Sequence, residues 1–255
     1  MAPGRLGAGA GAGAGPGSGA GARGGGAGAP EMLVCRNKAC RRDGGAAVWA
    51  AVRDLGGAHG VAAKETGCLG RCGAGPNLAV LPQGLVVRGV SGSGEHVARL
   101  LERQCGATGA QRSLGPWRAL QEGRRLIQRG AIEAAGARFT EGITLSAALG
   151  AEPGGCPEAA LFWRQRLLSN RSAARLSAGD PTAALEDAQE VVALAPDWPS
   201  GFLRLGDALA HLGHCLAANE AYASAECLNP KLLRDTWHIQ QRHTLAMKED
   251  CVIGL

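Results

Sequence analysis

Apolar positions change their period repeatedly along this chain, and each change predicts a different element. Met32 to Val34 is a short apolar run that reads as a strand delivering Cys35 into an irregular loop. Ala46 to Gly56 (AAVWAAVRDLG) places Val48, Trp49, Val52 and Leu55 at helical spacing, which predicts an amphipathic helix. Val61 to Thr66 predicts a second strand. The two apolar runs of NLAVLPQGLVVRGV then flank Pro82-Gln83-Gly84, a hairpin signal. Gly94 to Cys105 sets Val97, Leu100 and Leu101 on one face of a closing helix. The order strand, helix, strand, hairpin, helix predicts a small α/β sandwich.

The rest of the chain is organised by a repeat. Gly179 and Gly213 are 34 residues apart, as are Pro196 and Pro230, and Ala184 and Ala218. That period resembles the tetratricopeptide repeat (TPR), a helix-turn-helix unit that stacks into a solenoid. The third copy matches the family pattern with Phe202, Leu205, Gly206, Leu209, Ala218, Tyr222, Ala225 and Pro230. The second keeps Leu168, Ala184 and Pro196 but has Ala188 where an aromatic is usual. A first copy begins near Pro116, with Gly123, Leu126, Gly130, Ala135 and Phe139 in place. About fifteen extra residues separate copies one and two, and these include the turn-rich AEPGGCP. Beyond Pro230, residues Leu232, Leu233, Trp237 and Ile239 suit a capping helix.

Four cysteines carry the most distinctive chemistry. Cys35 and Cys40 are separated by four residues, and Cys68 and Cys72 by three, within glycine-rich surroundings that leave the backbone free to wrap a compact object. Converging thiolates select soft metals, and gaps of four and three depart from the two-residue gaps usual in zinc sites, so an iron-sulfur centre is favoured, with zinc, disulfides or free thiols as the alternatives. The C-x4-C pair followed by G-C-L-G-R-C-G-x-G-P-N resembles the thioredoxin-like 2Fe-2S ferredoxins over roughly residues 31 to 106. The resemblance implies a 2Fe-2S cluster held by Cys35, Cys40, Cys68 and Cys72, working in one-electron transfer or redox sensing. Arg36, Lys38, Arg41, Arg42 and Arg71 lie close to these ligands, either as a rim for an acidic redox partner or as a solvated basic face.

The wording SNRSAA and PDWPSGFLRLGDAL resembles the three-repeat co-chaperones that clamp the acidic C-terminus of the large heat-shock chaperones. Carried over residue by residue, Asn170 and Arg204 occupy two of the five clamp positions. Arg124 stands where the family has its first Asn, while Leu120 and Ser200 replace both lysines. A guanidinium at Arg124 supplies a bidentate donor for a carboxylate. The alternative is that Asn170 and Arg204 simply hydrogen-bond between helices.

Charge separates the same two parts. Residues 31 to 106 carry ten basic and six acidic side chains, whereas residues 107 to 255 carry fifteen and sixteen. No Lys/Arg-rich run points to nucleic acid. No stretch approaches the ~20 apolar residues of a membrane span. Residues 1 to 30 are almost wholly Gly, Ala and Pro, with Arg5 and Arg23 and no acid, which predicts a disordered segment or transit peptide. A chloroplast address is the expectation, with a cytoplasmic one as the alternative. Nine cysteines, an odd number, argue against a disulfide framework, and Cys215 and Cys227 read as small core residues. No catalytic constellation is present.

The sequence therefore predicts an α/β thioredoxin-like ferredoxin domain at 31-106, a linker at 107-115, and an all-α TPR solenoid of three repeats with a cap at 116-250. It reads as a non-enzymatic electron carrier or binding protein, without excluding a subunit role in a larger oxidoreductase. The alternative is a TPR adaptor or co-chaperone with a purely structural cluster.

Overall fold

The computed structural model describes residues 29–151 and 153–234. The expectations for the N-terminal segment up to residue 28, and for Trp237 and Ile239 in a capping helix, lie outside the described residues. Pro230–Arg234 forms a single 3-10 turn.

The N-terminal unit runs β1 (Glu31–Cys35), a helical turn α1 (Lys38–Cys40), α2 (Ala46–Ala58), β2 (Ala62–Thr66), β3 (Leu78–Leu81), β4 (Leu85–Val87) and α3 (Gly94–Cys105). The four strands form one sheet in the order β2-β1-β3-β4, with β1 parallel to β2 and the other two pairings antiparallel. A parallel neighbour needs a crossover, and α2 supplies it between β1 and β2. Met32 and Val34 of β1, Val48, Val52 and Leu55 of α2, and Val97 and Leu101 of α3 are fully buried. The chain turns sharply into α2 because Gly44 adopts φ 100 and because a Cβ at Gly45 would lie 2.7 Å from the Cys40 carbonyl oxygen. Ser93 caps α3 by accepting from the His96 N–H, and left-handed Gly106 ends it.

Six helices follow: α4 (Leu114–Gln128), α5 (Ile132–Ala151), α6 (Pro157–Ser177), α7 (Pro181–Leu194), α8 (Pro199–His211) and α9 (Cys215–Leu228). They pack as three antiparallel pairs, and the turn inside each pair uses a left-handed glycine: Gly130, Gly179 and Gly213, at φ 78, 83 and 81. Proline opens α6, α7 and α8, where its missing N–H costs no hydrogen bond.

Within a pair, a small residue on the first helix admits an aromatic from the second. A Cβ at Gly123 would sit 2.2 Å from the Phe139 ring, and one at Gly206 would sit 2.5 Å from Tyr222. In the middle pair both partners change together: Ser172 and Ala188 occupy these positions, both fully buried, and the Ser172 hydroxyl donates to the Ala184 carbonyl at 2.9 Å.

The extra residues between the first two copies are mostly helix. The helices α5 and α6 have 20 and 21 residues, against 14, 13 and 14 for α7, α8 and α9. The turn-rich insertion is thus a short link between two lengthened helices.

The α/β unit does not hang free of the repeats. One continuous apolar cluster runs from Met32 and Leu55 through Leu120, Phe139 and Trp163 to Ala174. Helix α4 packs on α6 and α6 on α8, so the first helices of the repeats form the inner layer, and α2 lies against α4 and α6 of that layer. Among the described residues no helix is long and apolar enough to cross a membrane.

Candidate functional site

The inner layer gathers polar side chains between α2, α4, α6 and α8. Asp54 projects from α2 and is only 1% exposed. Gln121 Nε2 of α4 donates to its Oδ2 at 3.0 Å, Arg53 Nε donates to its Oδ1 at 2.9 Å, and Arg124 Nη1 lies 3.9 Å from Oδ2. Arg124 also spans to α6, where its Nε donates to Asn170 Oδ1 at 3.4 Å, and Asn170 Nδ2 in turn donates to the Arg166 carbonyl at 2.7 Å. Arg124 and Asn170 are therefore brought together, and Arg124 also faces Asp54 of the α/β unit.

Arg166 lies one helical turn before Asn170. Its guanidinium stacks 4.2 Å from the Phe162 ring centre and 5.8 Å from that of Trp198, just before α8. Burial lowers the pKa of both Arg124 and Arg166, Asp54 opposes that shift, and the neighbouring cations add to it. Both remain cations at neutral pH because arginine starts so high.

Arg204 of α8 is placed differently. Its Nη1 donates to Asp207 Oδ2 at 2.7 Å, and Tyr222 Oη donates to Asp207 Oδ1 at 2.9 Å. Burial raises the Asp207 pKa, with Arg204 and Tyr222 opposing. The Nε atoms of Arg166 and Arg204 are both buried with no hydrogen-bond partner among the described residues. Leu120 is fully buried in the core, and Ser200 is half-buried in the first turn of α8. Asp54, Gln121 and Arg166 escaped the sequence reading. A lone acid in the mostly apolar run AAVWAAVRDLGGA, between Arg53 and Leu55, was the available signal for Asp54.

The four sequence-predicted cysteines form two unlike pairs. Cys35 and Cys40 are buried where β1 gives way to α1, close enough for Cys35 to act on the Cys40 thiol. Cys68 and Cys72 sit on an exposed loop with their Sγ atoms 3.3 Å apart. Burial, then the contact with Cys35, raises the Cys40 pKa. The hydrogen bond from Cys72, then that from the Gly70 N–H, lowers the Cys68 pKa, while the same contact with Cys68 raises that of Cys72. Asn77 ties the loop to the hairpin, donating to the Arg71 carbonyl at 2.8 Å and accepting from Gly89 N at 3.4 Å.

The pairs lie within electrostatic reach of each other, yet they do not fit the expected cofactor. Among the described residues no group of three or more His, Cys, Asp or Glu is arranged to hold a metal ion. Cys68 and Cys72 instead turn sulfur to sulfur. The 2Fe-2S cluster and the electron-transport role built on it are corrected accordingly, and the acidic redox partner falls with them. The cation rim is in part locally neutralised, with Arg36 3.3 Å from Glu65 and Arg42 3.3 Å from Asp43. Of the other cysteines, Cys227 is exposed rather than a core residue, and buried Cys215 is disulfide-bonded, contrary to expectation.

Comparison with known proteins points the same way. No protein-family model matches the chain. It is 34% identical over 112 residues to the wheat Hsp70-Hsp90 organizing protein, covering 44% of this chain and 17% of that protein. It is 39% identical over 83 residues to the fission-yeast heat shock protein sti1 homolog, covering 31% of this chain and 14% of that one. Mouse tetratricopeptide repeat protein 28 is 41% identical over 68 residues, 27% of this chain and 3% of the relative. The chain thus spans less than a fifth of the length of these curated relatives. Among solved structures, the first TPR domain of human RPAP3 overlays with a TM-score of 0.44 at 16% identity, covering 52% of this chain and 91% of that one.

Three helical pairs with recurring glycine turns make the helical part of the chain a TPR-like solenoid, and the curated relatives include repeat proteins of that kind. The relatives are named for chaperone organisation, heat shock and the repeat, none for iron-sulfur or electron-transfer chemistry. The reading of the chain as a binding protein rather than an enzyme agrees with them.

Proposed function

We propose that the chain is a TPR adaptor of co-chaperone type, whose inner groove takes an acidic peptide with a free C-terminal carboxylate from a heat-shock chaperone. The observation that carries this reading is the linkage of Arg124, Asn170 and Arg166 across α4 and α6, together with two buried guanidinium Nε donors, those of Arg166 and Arg204, left over. Buried donors without partners are costly, and a carboxylate is the group that matches a guanidinium fork. The kinship with proteins named for organising heat-shock chaperones supports the same partner class. The α/β unit, with its β2-β1-β3-β4 order, is read as a thioredoxin-like scaffold built against the groove.

The test is calorimetric titration of the full chain with a synthetic peptide that ends in acidic residues and a free carboxylate. Asn170→Ala and Arg204→Ala are each expected to weaken binding at least ten-fold, about 1.4 kcal/mol, while a C-terminally amidated peptide binds as poorly. Equal affinity for both peptide forms, or affinities untouched by both substitutions, overturns the reading.

A further inference from the structure

We infer that the α/β unit is a built-in competitor for the groove, with Asp54 occupying the position a ligand carboxylate would take. The inference rests on the peptide-binding reading above and adds its regulation. Arg124 and Gln121 face inward from α4, and the anion they already serve is the side chain of Asp54, 1% exposed and offered by α2. Arg124 simultaneously holds Asn170 at 3.4 Å, so the two groups that the repeat contributes at this end of the groove are both engaged.

The occlusion is steric as well as electrostatic. Helix α2 lies on α4 and α6, and a Cβ at Gly57 would lie 3.3 Å from the Phe162 ring, the same ring that Arg166 stacks upon. A second carboxylate delivered to Arg124 would stand beside Asp54 in a site with little water, where like charges repel strongly. Peptide and α2 therefore exclude each other at this end. Arg204 lies further along the inner layer on α8, where its buried Nε has no hydrogen-bond partner among the described residues. An acidic peptide gains the whole groove only when α2 lifts away, and its apparent affinity falls by the fraction of molecules in the lifted state.

Two substitutions separate the contributions. Asp54→Asn removes the competing charge and keeps the size of the side chain. Gly57→Leu leaves the charge in place and wedges α2 off Phe162 from an exposed helical position, where leucine also favours helix. Each is titrated in the full chain with the acidic-tailed peptide, and thermal unfolding monitors the fold. Both are expected to bind at least ten-fold more tightly than the parent chain. Equal affinity of all three proteins overturns the competition and leaves the peptide site standing. Binding by none of them overturns the peptide site itself, and the competition with it. Should Asp54→Asn fail to fold, the Gly57→Leu arm decides alone.

Discussion

Asp187, 3% exposed in α7, shows what a single charge does inside the solenoid. Arg171 grips it through Nε and Nη2 at 3.0 and 2.7 Å, and Arg175 approaches its Oδ2 at 3.0 Å. Removing the carboxylate strands two half-buried cations without compensation. Asp187→Ala is expected to lower the unfolding free energy by about 3 kcal/mol, read as a lower urea midpoint at unchanged slope. A loss below about 1 kcal/mol would mean that water already screens the pair. The places of Asn170, Arg124 and Arg204 on α6, α4 and α8 were legible because the repeat fixes register along a helix. Asp54 and Gln121 were not, because they lie 67 positions apart and meet only through packing. Cysteine spacing misled for a related reason: it records neighbours along the chain, whereas two of these thiols are buried and two exposed.

At the scale of elements, the repeat turns are the most local feature and were the easiest to read. A left-handed residue with a Cβ costs about 1–2 kcal/mol, so Gly179→Ala, at φ 83, should lower stability by that amount in chemical denaturation. No effect would show that the turn relaxes freely. The strands and helices of the α/β unit follow the apolar periods closely, with α3 at Gly94–Cys105 as expected and β2 starting one residue after Val61. The lengths of α5 and α6 were not legible. The run ITLSAALGA contains no helix breaker before Pro153, so the pattern neither marks where a standard repeat helix would end nor shows where the extra residues go.

The whole molecule is joined at the seam where α2 ends and α4 begins. His59 Nε2 lies 2.9 Å from Ser113 Oγ there, and burial lowers the pKa of His59, with Glu102 opposing. A histidine pKa lowered by folding means that the unfolded chain binds more protons in the window just below about 6.5, so stability rises with pH through it. The contribution is complete above that window and lost as the folded imidazole is forced to protonate. His59→Gln should flatten the melting temperature between about pH 5 and pH 7, and an unchanged slope would assign the pH dependence elsewhere. Sequence pattern divided the chain into an α/β part and a repeat part. It gave no hint that the two share one apolar cluster, because the joining contacts, such as Gly94 under Trp117 and Gly57 under Phe162, are made by glycines whose role appears only in three dimensions.

The central claim is that the inner layer of the repeats receives an acidic peptide in place of α2. Amide hydrogen exchange of the full chain, with and without the acidic-tailed peptide, tests it in one measurement. Slower exchange in α6 and α8 together with faster exchange in α2 is expected when peptide is added. Protection confined to other elements, or no change along the inner helices at saturating peptide, would contradict it.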